Sequence, residues 1–325
     1  MCKNILLTGA SGFLGGHLIQ EFQKRDPEIK IYALIRNEIE WKKLKYNNIV
    51  KIIGDFNDLK WIDTCPNFDV IIHAAAIVKH SRRNSKEQID FNVNSTIELT
   101  KLATKNNSRL IFVSSSGTVA CGKKEKWIDE LSDYAQLNWP YYVSKIIAEK
   151  KAIELSKNTN IKLTIFRPPV MLGPGDHKFR STGNILKFLN KKFPFLIEGN
   201  ITFCDIRDVS KSIINCMYLE KPRLIYNLPG HSMPIDKFFN LCEEISGVKK
   251  PKFTLPIKIA YPISKVVEEV FFRLKKHSPL PDPVILEMAS QNWGIQSLYC
   301  EEVNYKLTDS KIILKDTIKW IKWNK

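Results

Sequence analysis

A chain of 325 residues, 44% of them hydrophobic, carries enough apolar side chain for a sizeable core, which excludes a disordered chain and leaves room for one large domain or two unequal ones. Lys and Arg number 50 against 34 Asp and Glu, a net charge of +16 that favours anionic ligands or an anionic surface. The basic pairs (Lys42-Lys43, Lys123-Lys124, Lys191-Lys192, Lys249-Lys250, Lys275-Lys276) are scattered and no stacking aromatics run between them, so nucleic-acid binding is not expected.

Strand candidates in the first half are Asn4–Thr8, Lys30–Ile35, Ile49–Ile53, Val70–His73, Arg109–Ser114 and Ile161–Phe166, separated by longer helical patterns. Runs such as Ile5-Leu6-Leu7 and Val70-Ile71-Ile72 are apolar at consecutive positions, which suits strands covered on both faces. An open, doubly wound parallel α/β sheet is the predicted architecture. Ile89, Val93, Thr96, Leu99, Leu102 and Ala103 recur at helical spacing, and Pro140 stands where a first-turn proline would start a helix from Tyr141 to Lys157. Beyond residue 167 the prolines at 168, 169, 174, 251, 256, 262, 279, 281 and 283 are expected to break the chain into shorter helices and loops. Two apolar stripes stand out there, Ile259, Ile263, Val266, Val270 and Leu274, and Ile313, Thr317, Trp320 and Ile321. Both are expected to pack on the core, with a membrane-surface or dimer face as the alternative.

The cysteines at 2, 65, 121, 204, 216, 242 and 300 form no C-x-x-C pair and no Cys/His cluster at ligand spacing, so reduced thiols and no metal site are expected. No basic-plus-apolar leader precedes Asn4 and no apolar run reaches the ~18 residues of a bilayer span; a cytoplasmic protein without a transmembrane segment is the expectation, peripheral membrane contact remaining open.

Thr8-Gly9-Ala10-Ser11-Gly12-Phe13-Leu14-Gly15 follows the first strand and opens a helix, the context in which glycines let backbone N–H groups approach a pyrophosphate at a helix N-terminus. The second strand ends on Arg36, where an acid would bind the free 2′-hydroxyl of NAD, and Glu38 is the nearest acid; a fixed cation at that point favours the 2′-phosphate of NADP(H). Asp55 and Phe56 are candidates for the adenine, and Ala74, Ala75 and Ala76 offer small residues where backbone would lie against the cofactor. Tyr141 and Lys145 lie four apart on one helix face, so the ammonium is expected to lower the phenol's pKa and fit it for proton transfer near neutral pH. Ile111-Phe112-Val113-Ser114-Ser115-Ser116-Gly117 runs off the end of the fifth strand, at the edge of the crevice where α/β sheets bind ligands.

With these features the chain resembles the extended short-chain dehydrogenase/reductase family, also described as NAD-dependent epimerases and dehydratases. The resemblance extends to Asn92-Val93-Asn94-Ser95-Thr96, Arg167-Pro168-Pro169-Val170, Gly173-Pro174-Gly175-Asp176 and Asp205-Ile206-Arg207-Asp208-Val209, and so covers nearly the whole chain. It departs at Ala120-Cys121-Gly122, where many sugar-nucleotide members carry Val-Tyr-Gly, and in a tail only roughly mimicked by Ser297–Tyr305. The resemblance implies a Rossmann-type domain over 1–167, to which parts of 201–227 return, and a smaller, mostly helical substrate-binding subdomain over 168–325. It implies Tyr141 as acid/base, Lys145 as its pKa modulator and ribose clamp, and Ser115 or Ser116 as the hydroxyl on the substrate oxygen. Cofactor contacts are expected from Thr8, Gly9, Ser11, Gly12, Phe13, Leu14, Gly15, Arg36, Asp55, Phe56, Ala74, Ala75, Ala76, Asn92, Val113, Tyr141, Lys145, Pro168 and Val170. The leading expectation is a sugar-nucleotide reductase or epimerase of surface polysaccharide synthesis, with Lys178, Arg180 and Arg207 as diphosphate contacts. The alternative is a reductase or dehydrogenase of the dihydroflavonol/3β-hydroxysteroid kind, and third comes a non-catalytic NADP sensor; a small-molecule substrate and a homodimer are expected.

Overall fold

The computed structural model describes residues 4–36, 38, 49–83, 85–120, 128–159, 161–274 and 280–324. Cys2, Asn37, Cys121, Gly122, Pro279 and the lysine pairs at 42–43, 123–124 and 275–276 lie outside them.

The nucleotide half contains β1 (Asn4–Thr8), α1 (Phe13–Arg25), β2 (Lys30–Ile35), β3 (Ile49–Ile53), α2 (Trp61–Thr64), β4 (Val70–His73), α3 (Lys86–Asn106), β5 (Arg109–Val113), α4 (Pro140–Lys157) and β6 (Lys162–Arg167). Then come β7 (Val170–Leu172), α5 (Gly183–Leu189), β8 (Leu196–Ile197), β9 (Asn200–Asp205), α6 (Ile206–Met217), β10 (Ile225–Asn227) and β11 (His231–Pro234). The chain ends with α7 (Ile235–Ser246), β12 (Thr254–Leu255), α8 (Ile257–Arg273), α9 (Pro283–Ala289) and α10 (Ser310–Trp323).

Seven parallel strands form one sheet in the order β10-β6-β5-β4-β1-β2-β3. The consecutive apolar residues of β1 divide between two cores, as a strand period of two requires. Ile5 and Leu7 face α1 and α6, whereas Leu6 faces the layer of Leu99 and Leu102 from α3 and Ala148 and Ala152 from α4. β1 is central, so its C-terminal end is the point at which the chain turns outward to β2 on one side and β4 on the other.

The strands of the first half fall on the segments read from the sequence, with β5 one residue shorter at its end and β6 displaced by one residue. The later part holds a three-stranded sheet, β11-β9-β7, and the pair β12-β8, strands of two to six residues that the sequence reading missed. A third core packs there, with Phe188, Phe203, Phe238 and Ile313 at its centre. Pro262, expected to break the chain, lies inside α8.

The two apolar stripes behave differently. In α10, Ile313, Thr317 and Ile321 are buried. In α8, Ile259, Ile263, Val266, Val270 and Leu274 are all exposed, contrary to the expected core packing, because the helix turns Ala260 and Ser264 inward. No helix among the described residues is long and apolar enough to cross a membrane.

Candidate functional site

At the sheet's switch point the chain after β1 turns tightly into α1, with Gly12 N–H donating to the Gly9 carbonyl at 2.8 Å. Gly9 has φ of 73°, and a Cβ there would lie 2.8 Å from the Ala75 nitrogen; a Cβ on Gly15 would come within 2.1 Å of the Gly9 oxygen. The turn therefore presents backbone alone, beneath a helix whose first turn carries no acidic residue and whose cap makes no side-chain hydrogen bond. That is the donor array a pyrophosphate needs, so the cradle fits a dinucleotide. Ser11 and Phe13 are half-buried at its lip, and Leu14 packs into the core, leaving only its backbone to the turn.

Thr8 ties the facing wall in place. Its hydroxyl accepts the Ala75 N–H at 3.2 Å and meets His73 Nδ1 at 2.8 Å, while His73 Nε2 meets the Ser95 hydroxyl at 3.2 Å. Burial, with Lys145 adding to it, pushes the His73 pKa far below its ordinary value, so a neutral imidazole stacked on Phe112 holds Ala74–Ala76 against the glycine turn. Arg36 is exposed at the end of β2, and Glu38 is turned towards Lys51 at 3.3 Å. Asp55 Oδ1 accepts the N–H groups of Asn57 and Asp58, and Phe56 packs between Trp61, His73 and Phe91. Asn92 spends its amide on the Ile77 backbone (2.9 and 3.0 Å) and the Ser144 hydroxyl (2.9 Å), clamping the loop after β4 to α4.

Pro140 at the first position of α4 sets the helix that carries Tyr141 and Lys145. Lys145 is 2% exposed; its ammonium donates to the Val113 carbonyl at 2.8 Å and lies 4.6 Å from the Phe112 ring centre. Burial brings its pKa down to about 7, with Glu149 opposing. Tyr141 is half-buried, and burial pushes its phenol up to about 12. This corrects the expectation that Lys145 lowers the phenol's pKa: in this arrangement the amine is directed to Val113, and desolvation of the ring decides the direction.

Beyond β5, Ser115 caps the 3-10 turn Ser116–Thr118 by accepting the Gly117 N–H at 3.3 Å. Ser116 anchors its backbone to the Pro168 carbonyl at 2.9 Å, and its hydroxyl makes no hydrogen bond among the described residues. Val170 is exposed on β7. Behind the serines Ser114 donates to Glu149, which pairs with Arg167 across buried surroundings; the spacing of Glu149, four beyond Lys145, was the available sequence signal.

Residues that sequence reasoning missed enclose Tyr141 from outside. His80 meets Tyr141 edge-on at 5.7 Å between ring centres, and Trp139, Tyr142, Val284 and Trp293 form a buried cluster against which Leu137, Tyr141 and Met288 pack. Burial lowers the His80 pKa, opposed by Asp282. Glu287 fastens this wall, accepting from Arg82, Trp139 Nε1 and Tyr261 Oη, and hydrogen bonding to Arg82 leads the effects that hold its carboxyl down to about 2. A shallow open groove lined by Gln136, Leu137, Asn138, Trp139 and Gln291 adjoins it. His17 Nε2 meets the Pro174 carbonyl at 2.8 Å, joining the glycine-turn helix to the 173–175 loop. Of the expected diphosphate contacts, Arg207 is held by Asp205 and, at 2.7 Å, by Asp316, while Lys178 and Arg180 are exposed.

The model of the NAD dependent epimerase/dehydratase family matches residues 5–228. A "Putative dihydroflavonol 4-reductase" of Synechocystis sp. is 23% identical, covering 98% of this chain and 95% of its own length. The "Sterol-4-alpha-carboxylate 3-dehydrogenase, decarboxylating" of Dictyostelium discoideum is 26% identical over 93% of this chain and 98% of its own. Among solved structures, UDP-glucuronic acid 4-epimerase from Bacillus cereus, in complex with UDP-glucuronic acid and NAD, superposes with a TM-score of 0.76 at 20% identity, covering 98% of this chain and 99% of that one. The glycine cradle at the switch point of a seven-stranded parallel sheet and the family match over 5–228 lead to one conclusion: the chain belongs to the NAD-dependent epimerase/dehydratase family, enzymes of oxidoreductase type that use a nicotinamide cofactor.

Proposed function

We propose that this enzyme is an NADP(H)-dependent reductase or dehydrogenase acting on the carbonyl or alcohol carbon of an apolar cyclic substrate. The observation that carries the reading is the wall around Tyr141, which is built from His80, Trp139, Tyr142 and Trp293 and not from free cations. Aromatic faces of this kind bind flat apolar rings, whereas a diphosphate needs unspent positive charge, and Arg207 already faces two carboxylates. Two relatives that match over nearly their full length, one named as a dihydroflavonol reductase and one as a sterol-carboxylate dehydrogenase, support the same order of preference.

In this reading residues 1–167, with parts of 201–227, hold the nucleotide and contribute His80, Trp139 and Tyr142 to the substrate wall, which 168–325 complete with Val284 and Trp293. The glycine turn receives the pyrophosphate, and Arg36 favours a 2′-phosphate because Glu38 is drawn off by Lys51. When bound, the nicotinamide supplies the redox chemistry by giving or taking hydride. Tyr141 moves the proton at the substrate oxygen: a phenol held near 12 is fully protonated at neutral pH, the form needed as acid for carbonyl reduction. Ser116 donates to the same oxygen, its hydroxyl being uncommitted where that of Ser115 caps a turn. Lys145, its pKa brought down to about 7 by burial, would hold the ribose hydroxyls and pass a proton to the phenol. Asn92 positions the 77–83 loop and Ser144 without touching the reacting atoms.

The second reading, a sugar-nucleotide reductase or epimerase, draws on the exposed cations Lys178 and Arg180 beside the Gly175-Asp176 turn. Product analysis separates the two. Net oxidation of NADPH with cyclic ketones is expected; inversion of a sugar nucleotide without net NADPH consumption would replace the first reading by the second.

A further inference from the structure

We propose that the outer face of α8 docks on an anionic lipid surface. Ile259, Ile263, Val266, Val270 and Leu274 are 50%, 46%, 65%, 47% and 58% exposed, and their spacing aligns them in one stripe along the helix. Phe253, 75% exposed, extends the apolar face just before the helix. The inner face is already anchored: Ser264 donates to the Pro281 carbonyl, Tyr261 to Glu287, and Glu268 accepts from Arg83. The stripe therefore does not await a place in the protein's own core.

The charges around it choose the occupant. Lys252, Lys258 and Lys265 are exposed and have no carboxylate partner among the described residues. The helix's own acids are spent, Glu268 on Arg83 and Glu269 on Arg83 and Arg273. The N-terminal half of the face is thus basic, and the sequence continues past the helix with Lys275-Lys276. A second copy laid on this face would bring its own Lys252, Lys258 and Lys265 to a surface whose carboxylates, Glu268 and Glu269, are already paired with arginines. Anionic headgroups supply that counterpart while the acyl boundary takes the stripe, the arrangement of an interfacial amphipathic helix. The net charge of +16 acts in the same direction at long range. Because Glu268 and Tyr261 hold the loop and helix that carry the wall of the site, docking would place that wall at the bilayer; the inference does not depend on which substrate is bound.

The test is flotation of the full chain with phosphatidylcholine vesicles with and without phosphatidylglycerol, together with its mass in solution. Binding to the anionic vesicles, weakened by salt and absent with phosphatidylcholine alone, is expected. Val266→Glu with Val270→Glu should reduce that binding about ten-fold or more with unchanged NADPH affinity, and Lys258→Glu with Lys265→Glu should weaken it and flatten its dependence on salt. These side chains are exposed, so an unchanged melting temperature certifies the fold. No binding of the wild type to anionic vesicles, or equal binding by the Val266→Glu/Val270→Glu variant, overturns the proposal. Conversion of a dimer to a monomer by that variant overturns it in favour of a second copy.

Discussion

The two walls of the cleft are made of different material. Below the switch point the wall is backbone: a glycine turn, three alanines and a neutral His73–Thr8–Ser95 network that holds them together. Across from it the wall is side chain, with Trp139, Tyr142, His80 and Trp293 gathered from the loop after β4, the start of α4 and the segment after α9, and fastened through Glu287. A wall of backbone recognises what its ligands share, the pyrophosphate, and tolerates no added atoms. A wall of side chains recognises what differs and can be altered piece by piece.

That contrast can be broken by substitution. The largest effect is expected at the junction of the walls, where Tyr141→Phe should lower turnover by at least ~10²-fold while NADPH still binds, measured by steady-state kinetics beside a fluorescence titration. On the backbone wall, Gly15→Ala must displace the Gly9 carbonyl, since its Cβ would sit 2.1 Å away. A loss of about 1–3 kcal/mol in unfolding free energy and a fall in affinity for both NAD and NADP should follow, read by denaturation and titration. On the side-chain wall, Trp293→Ala should raise KM for a cyclic ketone about ten-fold and leave NADPH affinity unchanged; equal losses in both would mean the walls are not separable. Arg36→Asp should shift kcat/KM from NADPH towards NADH by about ten-fold, and no shift would remove Arg36 from cofactor choice.

The smallest effect concerns stability and pH. Folding lowers the Lys145 pKa from 10.5 to about 7, so between those values the unfolded chain binds a proton that the folded chain does not. This group's contribution to unfolding free energy therefore rises with pH across that window and is flat below it. The difference between wild type and Lys145→Met in urea denaturation should grow in the wild type's favour from about pH 7 upward; a pH-independent difference would contradict the lowered value.

The same contrast explains what could be read from the sequence. A backbone wall requires glycine at fixed positions between a strand and a helix, and buried parallel strands require apolar runs, so the cradle, the strands β1 to β6 and the Tyr141 helix leave local marks. The side-chain wall leaves none, because His80, Glu287 and Trp293 meet only after distant segments fold together. The short strands of the later part carry too few residues for a period to show. In α8 the periodicity correctly marked an amphipathic helix, but periodicity does not say which side faces the protein; Ala260 and Ser264 take the inner side because small residues let the helix approach α9. The expected acidification of Tyr141 by Lys145 failed for a related reason, since spacing on a helix fixes a shared face but not where the amine is sent.

A crystal structure of the enzyme with NADP⁺ and a cyclic ketone tests the central claim most directly. The Tyr141 and Ser116 hydroxyls should both lie within hydrogen-bonding reach of the ketone oxygen, about 2.6–3.2 Å, with the ring of the substrate against Trp139 and Trp293. A phenol turned out of the cleft, or a ketone bound away from those indoles, would contradict the account.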